Sequence, residues 1–216
     1  NPLGGIMGFA QLVLNSDGLS PQQREDVETI LTQSRRCDDI VKNLLQFSRI
    51  RKGNEMRVDC RKAVEATLQL AAFDLRRAGI KVVKDFPEGL PPVMGDAGQL
   101  QQVFLNIIMN ALHAMEGKKR AELKILASET EGRILLRFED NGCGIPPENL
   151  SKIFDPFFTT KPAGKGTGLG LSISYGIIQE NKGTIRAENL PGQGAAFVIS
   201  LPVCEEKGEK AAGSGR

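Results

Sequence analysis

This 216-residue sequence lacks a large excess of either charge, long apolar runs and paired cysteines, and each absence excludes a class of function. Basic residues number 28 against 26 acidic ones, so the charge gives no argument for a nucleic-acid binder or a polybasic membrane binder. No run of about eighteen apolar residues is present, so we expect no transmembrane helix. No charged and then apolar leader opens the chain. We therefore expect a cytoplasmic location, with any membrane anchor in regions outside these residues.

Histidine and cysteine, the usual ligands of structural zinc, are also few. The sequence contains one histidine, and its four cysteines form no CxxC pair: Cys37, Cys60, Cys143 and Cys204. A structural zinc site needs several such ligands at short spacing, so we expect none and interpret the cysteines as reduced thiols of a cytosolic protein. The chain also begins without methionine, at Asn1 within a helical pattern, and we interpret it as a fragment.

The first fifty residues predict two helices. Apolar residues recur at helical spacing over Ile6–Leu14 and again, in a nearly heptad pattern, over Val27–Ser48. Residues 15–18 interrupt the first stripe, and Ser20-Pro21 is typical of a helix start, with serine as N-cap and proline at the first helical position. Two helices with one apolar stripe each cannot bury themselves alone. We therefore expect half of a dimeric four-helix bundle.

Mixed helix and strand patterns follow the hairpin. The basic stretch 49–52 and Gly53 predict the end of the second helix and a hinge. We predict an α+β fold in which the helical hairpin, residues 1–53, precedes an α/β sandwich, residues 56–204, with helices on one face of a mixed sheet. Residues 205–216 are polar and predict a disordered tail.

The predicted helix Gln99–Met115 carries a polar stripe. Asn106, Asn110 and His113 are spaced by four and three residues, which places them on one helical face. Amide oxygens are suitable ligands for magnesium, which takes its other ligands from water and phosphate. Taken alone, however, the stripe is explained more simply as the solvated edge of an amphipathic helix.

A second candidate segment follows an alternating strand and reads Asp140-Asn141-Gly142-Cys143-Gly144-Ile145. An ionised carboxylate at the end of a strand can accept a hydrogen bond from an amino group such as that of adenine. Gly142 and Gly144 would let the backbone approach a flat ligand. A plain Asp-Asn-Gly turn between strands explains the same residues equally well, so both interpretations remain open.

The third candidate segment, Thr159–Leu171, is rich in glycine and leads into a helix predicted over Leu171–Ile178. Free backbone N–H groups and two lysines before a helix amino terminus favour phosphate binding. The Gly-Lys-Ser/Thr ending of a Walker loop is absent, and no strand precedes the segment as a dinucleotide fingerprint requires. A flexible linker fits poorly because Leu169 and Leu171 are apolar. We therefore predict a phosphate site.

In this order the segments resemble the ATP-binding domain shared by sensor histidine kinases, gyrase-type topoisomerases, Hsp90-type chaperones and MutL-type repair proteins. Four stretches resemble the family's N box, first glycine box, F box and second glycine box, respectively: Gln101–Met115, Asp140–Gly144, Ile153–Lys161 and Gly166–Leu171. The runs Pro-Phe-Phe-Thr-Thr-Lys and Gly-Thr-Gly-Leu-Gly-Leu-Ser-Ile are typical of the histidine-kinase branch, close to its nitrogen-regulator-like group. Asn1-Pro2-Leu3 is similar to the end of that branch's His-Glu-x-x-Asn-Pro motif.

The resemblance implies a Bergerat-type sandwich, with a left-handed crossover, that binds ATP or ADP with Mg²⁺. Asn110 would ligate magnesium, Asn106 would lie beside the phosphates, and His113 falls at a basic phosphate contact. Asp140 would bind the adenine amine, and Lys161 would join the two asparagines as a catalytic residue. The adenine pocket, the mobile lid and the phosphate loop would supply the remaining contacts: Gly142, Gly144, Ile145, Phe154, Lys161, Lys165, Gly166, Thr167, Gly168, Leu169, Gly170 and Leu171.

The implied activity is that of a two-component protein-histidine kinase. The γ-phosphoryl group of ATP would pass to a histidine on the hairpin of a homodimer, and then to an aspartate of a response regulator receiver domain. That histidine would precede Asn1, and His113 matches a position in the nucleotide site instead. We therefore expect this chain to bind Mg-ATP without phosphorylating itself. Asn1 matches a position that helps place water for dephosphorylating the regulator.

One departure from the family and three alternatives accompany this hypothesis. Gly192–Phe197 reads Gly-Gln-Gly-Ala-Ala-Phe where relatives usually have Gly-x-Gly-Thr-Thr-Phe, and a missing hydroxyl there would weaken nucleotide binding. A gyrase- or Hsp90-like ATPase clamp usually carries a glutamate base where this chain has Asn106. An anti-sigma-type serine kinase lacks the hairpin. A non-catalytic dimerisation and docking module would not need the glycine boxes.

Overall fold

The computed structural model describes residues 2–48, 55–161 and 166–204. The predictions for Asn1, the hinge at 49–53, Lys165 and the tail at 205–216 lie outside these residues. The chain divides into two compact units, one formed by Asn1–Arg51 with Pro147–Tyr175, the other by Lys52–Pro146 with Gly176–Arg216. Among the described residues, every helix is too short or too polar to traverse a bilayer.

The first unit contains the predicted helical hairpin. Helix α1 spans Pro2–Leu14, helix α2 spans Pro21–Ser48, and the two pack against each other. Ser20 caps α2 as predicted: its Oγ accepts a hydrogen bond from the Gln23 N–H (3.2 Å), and its own N–H donates to Gln23 Oε1 (2.9 Å). Large apolar side chains remain exposed along both helices: Ile6, Phe9, Leu12, Val13, Ile30 and Val41.

Also in the first unit are a short 3₁₀ helix, Pro147–Asn149, and the start of helix α5, Gly170–Glu180. The sequence predicted this helix over Leu171–Ile178. In the structure it begins one residue earlier and ends two residues later.

The second unit is built on a five-stranded mixed sheet with the order β2-β4-β5-β7-β6. Strand β2 runs parallel to β4, and the other neighbouring pairs are antiparallel. A separate two-stranded antiparallel sheet joins β1 and β3. The strands are β1 Met56–Val58, β2 Lys81–Asp85, β3 Val93–Gly95, β4 Glu122–Thr130, β5 Arg133–Asp140, β6 Thr184–Asn189 and β7 Ala195–Pro202.

Helices α3, Cys60–Arg77, and α4, Ala97–Ala114, complete the second unit. Each is preceded by an N-cap aspartate whose side chain accepts a hydrogen bond from a backbone N–H, Asp59 from that of Lys62 and Asp96 from that of Gln99. Helix α4 packs on the sheet, where the Phe104 and Phe138 ring centroids lie 5.6 Å apart. Strand β5 alternates as predicted, with Ile134, Leu136 and Phe138 buried.

The small sheet of β1 and β3 was not predicted. Each strand is three residues long, too short for period-2 alternation to be recognised in the sequence. Its pairing, Met56 with Gly95 and Val58 with Val93, joins segments more than thirty residues apart.

Candidate functional site

Asp140 is the most deeply buried acidic side chain of the candidate segments. It ends β5 and is 3% exposed. Its Oδ1 accepts a hydrogen bond from the Gly142 N–H at 2.8 Å, and the Ala195 N–H also donates to the carboxyl group. Burial raises the pKa of Asp140, although these two N–H groups and the charge of Lys118 act in the opposite direction. The protein thus holds a hydrogen-bond acceptor, fixed by its own backbone, at the end of a central strand.

The glycines after Asp140 pack against protein backbone. A Cβ on Gly142 would lie 2.5 Å from Ala114 O, and a Cβ on Gly194 would overlap Asp140 O. Gly144 has a φ of +76°, and a Cβ there would lie 3.1 Å from Asn189 Oδ1. The sequence alone offers a different reason for Gly142 and Gly144, namely close approach to a ligand. In the structure, contacts with other parts of the same chain already require a glycine at both positions.

Two asparagine side chains hold the residues that follow β5, which we call the 140–145 loop. Asn141 Oδ1 accepts the Glu122 N–H at 3.0 Å, while Asn141 Nδ2 donates to Arg120 O at 2.8 Å. Asn189 Oδ1 accepts the Ile145 N–H at 2.8 Å, and Asn189 Nδ2 donates to Ile145 O at 2.6 Å. An amide offers a donor and an acceptor in one plane, so each asparagine pairs with backbone as another strand would.

Asn189 was not identified from the sequence. It ends β6 and is the first residue of the connection from β6 to β7, residues 189–195, which we call the 189–195 turn. Its partner Ile145 is 44 positions away in the chain, and no local spacing relates the two residues.

Helix α4 carries Asn106, Asn110 and His113, as predicted, and it ends beside the 140–145 loop. The Cys143 N–H donates to Ala114 O at 3.0 Å, which ties the loop to the last residue of the helix. Asn106 and Asn110 are half-buried, and His113 is exposed with its Nδ1 2.5 Å from Met109 O. Within the second unit, the structure therefore brings the polar helix and the acidic loop together.

The remaining candidate residues belong to the first unit. Phe154 contacts Tyr175, with ring centroids 5.7 Å apart. Gly168 has a φ of +69°, and a Cβ there would overlap the Phe157 backbone, so glycine is required. Leu169 is 3% exposed and its carbonyl accepts the Ile173 N–H at 2.9 Å at the start of α5. These contacts give Gly168 and Leu169 a defined conformation, which residues of a flexible linker would lack.

Other members of this segment are half-buried: Lys161, Gly166, Thr167, Gly170 and Leu171. Burial lowers the pKa of the Lys161 ammonium. A Cβ on Gly166 would lie 2.8 Å from Thr159 Oγ1, so this glycine also packs against the segment itself. Lys165 and Asn1, the two other predicted site residues, lie outside the described residues.

Comparison with known families agrees with this architecture. Residues 95–205 match the family described as histidine kinase-, DNA gyrase B-, and HSP90-like ATPase. Residues 1–53 match the His Kinase A (phospho-acceptor) domain. The chain belongs to the histidine kinases. The family predicted from the hairpin and the four boxes is thereby confirmed.

Curated proteins similar to this chain include sensor histidine kinases. It is 36% identical over 203 residues to the signal transduction histidine-protein kinase AtoS of Escherichia coli (strain K12), covering 94% of this chain and 33% of AtoS. It is 35% identical over 218 residues to the sensory histidine kinase/phosphatase NtrB of Rhodobacter capsulatus, covering 96% of this chain and 60% of NtrB. The chain therefore spans only part of these relatives.

Solved histidine kinases share the fold. Full-length ShkA in complex with AMPPNP superposes with a TM-score of 0.75 at 26% identity, covering 94% of this chain and 43% of ShkA. The kinase ThkA in complex with the response regulator protein TrrA gives a TM-score of 0.71 at 26% identity, covering 96% of this chain and 59% of that chain. The predicted fold class, a helical hairpin followed by a Bergerat-type sandwich, is confirmed.

Proposed function

We propose that this chain is the catalytic portion of a sensor histidine kinase. It binds Mg-ATP and transfers the γ-phosphoryl group to a histidine on a paired helical hairpin, from which the group passes to an aspartate of a response regulator. The observation that carries the proposal is the buried Asp140 carboxyl group at the end of β5, beside helix α4 and its polar stripe.

Adenine recognition is assigned to Asp140. A carboxylate accepts hydrogen bonds only, so it suits the exocyclic amine of adenine and rejects the carbonyl of guanine. Because the Gly142 and Ala195 N–H groups fix its orientation, the carboxylate needs little rearrangement on binding. Gly142, Gly144 and Ile145 form the loop on this side of the base.

The triphosphate is assigned to two sets of residues. Asn110 would give its amide oxygen to magnesium, whose charge offsets that of the phosphates, and Asn106 and His113 would lie along the same helical face. Lys161 and the segment Gly166–Leu171 would donate an ammonium and backbone N–H groups at the start of α5. The donor set fits Mg-ATP because hard amide oxygens and backbone N–H groups suit the cation and the phosphates, respectively.

Phosphoryl transfer by this site requires positioning and charge neutralisation more than covalent help from the protein. We assign this positioning and charge neutralisation to Asn106, Asn110 and Lys161. In this mechanism, Asn1 would place water for a separate reaction, the hydrolysis that removes the phosphoryl group from the regulator.

A second copy of the chain and a response regulator are the proposed partners. The match of residues 1–53 to the His Kinase A domain supports pairing through the hairpin. The exposed apolar side chains of α1 and α2 provide a surface for such pairing, since burying them in a four-helix bundle removes apolar area from water. The ThkA–TrrA complex supports a regulator as the phosphoryl acceptor.

Calorimetric titration of the 216-residue chain with ATP, with and without magnesium, tests the binding step. We expect tighter binding with magnesium, and Asn110→Ala should reduce that difference by on the order of tenfold. Asn181→Ala is the matched control. The Asn181 side-chain amide donates to Ile177 O at 2.7 Å, a local hydrogen bond at the end of α5. Absence of adenine-nucleotide binding would support a docking module instead.

Incubation with ATP labelled at the γ-phosphate tests the transfer step. The single histidine of this chain, His113, is assigned to the nucleotide site, so the chain alone should stay unlabelled. A hairpin domain that carries its phosphate-accepting histidine should become labelled when mixed with this chain. Stable label on the present chain, or steady ATP hydrolysis without transfer, contradicts the proposal, and the latter favours an ATPase clamp.

A further inference from the structure

Lys118 links three segments around the candidate adenine site. It lies in the turn between α4 and β4, residues 115–121. Its Nζ donates to Asn141 O in the 140–145 loop and to Gln193 Oε1 (3.3 Å) in the 189–195 turn. Lysine suits this position because an ammonium offers three donors to separate acceptors at once.

We propose that Lys118 is a positioning residue for adenine recognition, holding the 140–145 loop against the 189–195 turn so that Asp140 faces the base. The inference rests on the proposed nucleotide-binding function and names a residue that the sequence motifs do not contain. Lys118 is half-buried, whereas the next residue, Lys119, is exposed.

The backbone around Asn141 explains why this link affects Asp140. Asn141 follows Asp140 directly, and the Gly142 N–H that orients the Asp140 carboxylate is one residue further on. A shift of Asn141 O therefore moves both the carboxylate and one of its donors. The other donor, the Ala195 N–H, lies at the end of the 189–195 turn that contains Gln193. Lys118 thus bridges the two segments that supply the donors.

The positive charge of Lys118 also supports the role of Asp140 as a hydrogen-bond acceptor. The ammonium lowers the pKa of Asp140 against the larger effect of burial. The strand neighbours of Asp140 in register, Leu123 and Ala195, are uncharged, as is Ala114 at the end of α4. Lys118 therefore favours the ionised form of Asp140, which is the form that can only accept hydrogen bonds.

Two ligands and three variants test this role. The ligands are Mg-ATP and the Mg complex of purine riboside triphosphate, which lacks only the amino group of adenine. The variants are Lys118→Met, Lys118→Arg and Lys119→Met, the last being a matched removal of one positive charge at the neighbouring position. Dissociation constants are measured by calorimetry, and thermal unfolding is recorded for each protein.

For Lys118→Met we expect the dissociation constant for ATP to rise by on the order of tenfold and that for the analogue by less than twofold, so that discrimination between the ligands falls. Lys119→Met should behave as the wild type, and Lys118→Arg should recover most of the discrimination. A merely structural lysine would lower the thermal midpoint and weaken both ligands equally, and that result overturns the inference. Unchanged binding of both ligands by Lys118→Met also overturns it. If the wild type itself fails to prefer ATP, the assignment of Asp140 to adenine fails instead.

Discussion

Replacing Asp140 by asparagine separates the binding role of this carboxyl group from its effect on stability. Asp140 Oδ1 accepts the Gly142 N–H at 2.8 Å, and an asparagine oxygen can keep that bond. An amide has only one acceptor oxygen, so Asp140→Asn then presents an NH₂ group where the carboxylate presented its second oxygen. A donor would face the adenine amine, which is itself a donor.

The expected loss of affinity follows from the loss of one charge-assisted hydrogen bond. Such bonds contribute about 1.5–3 kcal/mol, so the dissociation constant for Mg-ATP should rise roughly 10- to 150-fold. Calorimetric titration measures this change, and Asp74→Asn provides a matched control. Asp74 lies on α3 and forms a 3.5 Å ion pair with Arg77 at the surface, so its replacement should leave affinity within about twofold.

Asp140→Asn should also change how the stability of the folded chain depends on pH. Burial raises the pKa of Asp140 above its unfolded value, so between the two pKa values the folded state binds more protons than the unfolded state. Stability of the wild type therefore falls as pH rises through that window, while the asparagine variant does not titrate there. The difference in thermal midpoint should shift in favour of Asp140→Asn as pH rises from about 4, the ordinary pKa of aspartate, through the raised pKa of the folded state.

Two results would refute this reasoning. An affinity for ATP within twofold of the wild type removes Asp140 from the nucleotide site. A midpoint difference that moves against the variant as pH rises contradicts the raised pKa, and the buried carboxyl group would then be stabilised by its donors in the ionised form.

Two further predictions concern the surroundings of the site. Asn189→Ala breaks two hydrogen bonds to Ile145 and should raise the dissociation constant for ATP by about five- to tenfold. Asn181→Ala, measured by the same titration, should leave this constant unchanged. Equal effects of the two substitutions would show that Asn189 acts only through general stability. Cys60 is 1% exposed, and burial raises the pKa of its thiol to about 12. A thiol-reactive reagent at pH 8 should therefore leave Cys60 unmodified and modify the exposed Cys143, as measured by peptide mass spectrometry. Rapid labelling of Cys60 in the folded chain would contradict its burial.

Local patterns in the sequence predicted most elements because their causes are local. The capping box at Ser20 involves residues three apart, and the alternation of β5 reflects burial of every second side chain. The polar stripe of α4 follows from helical geometry alone. These features need no knowledge of what the rest of the chain does.

Other features required the fold. The sequence left Gly142 and Gly144 open to ligand approach or a plain turn, and only the structure shows that Gly142 packs on Ala114 O and that Gly144 faces Asn189 Oδ1. The three-residue strands β1 and β3 pair across the chain and carry no pattern of their own. The roles of Asn106, Asn110 and the other assigned site residues stay predictions until nucleotide binding is measured.

The amino-acid sequence by itself determined the family and the order of the four boxes, and it predicts Asp140 as the acidic residue that binds adenine. These depend on residue type and spacing along a few turns or strands. Only the tertiary structure decided what holds that residue in place, because Lys118 reaches Asn141 and Gln193, which are 23 and 75 positions away, and Asn189 reaches Ile145 across 44. Such contacts arise when turns distant in sequence meet at the same end of neighbouring strands, and no local pattern records them.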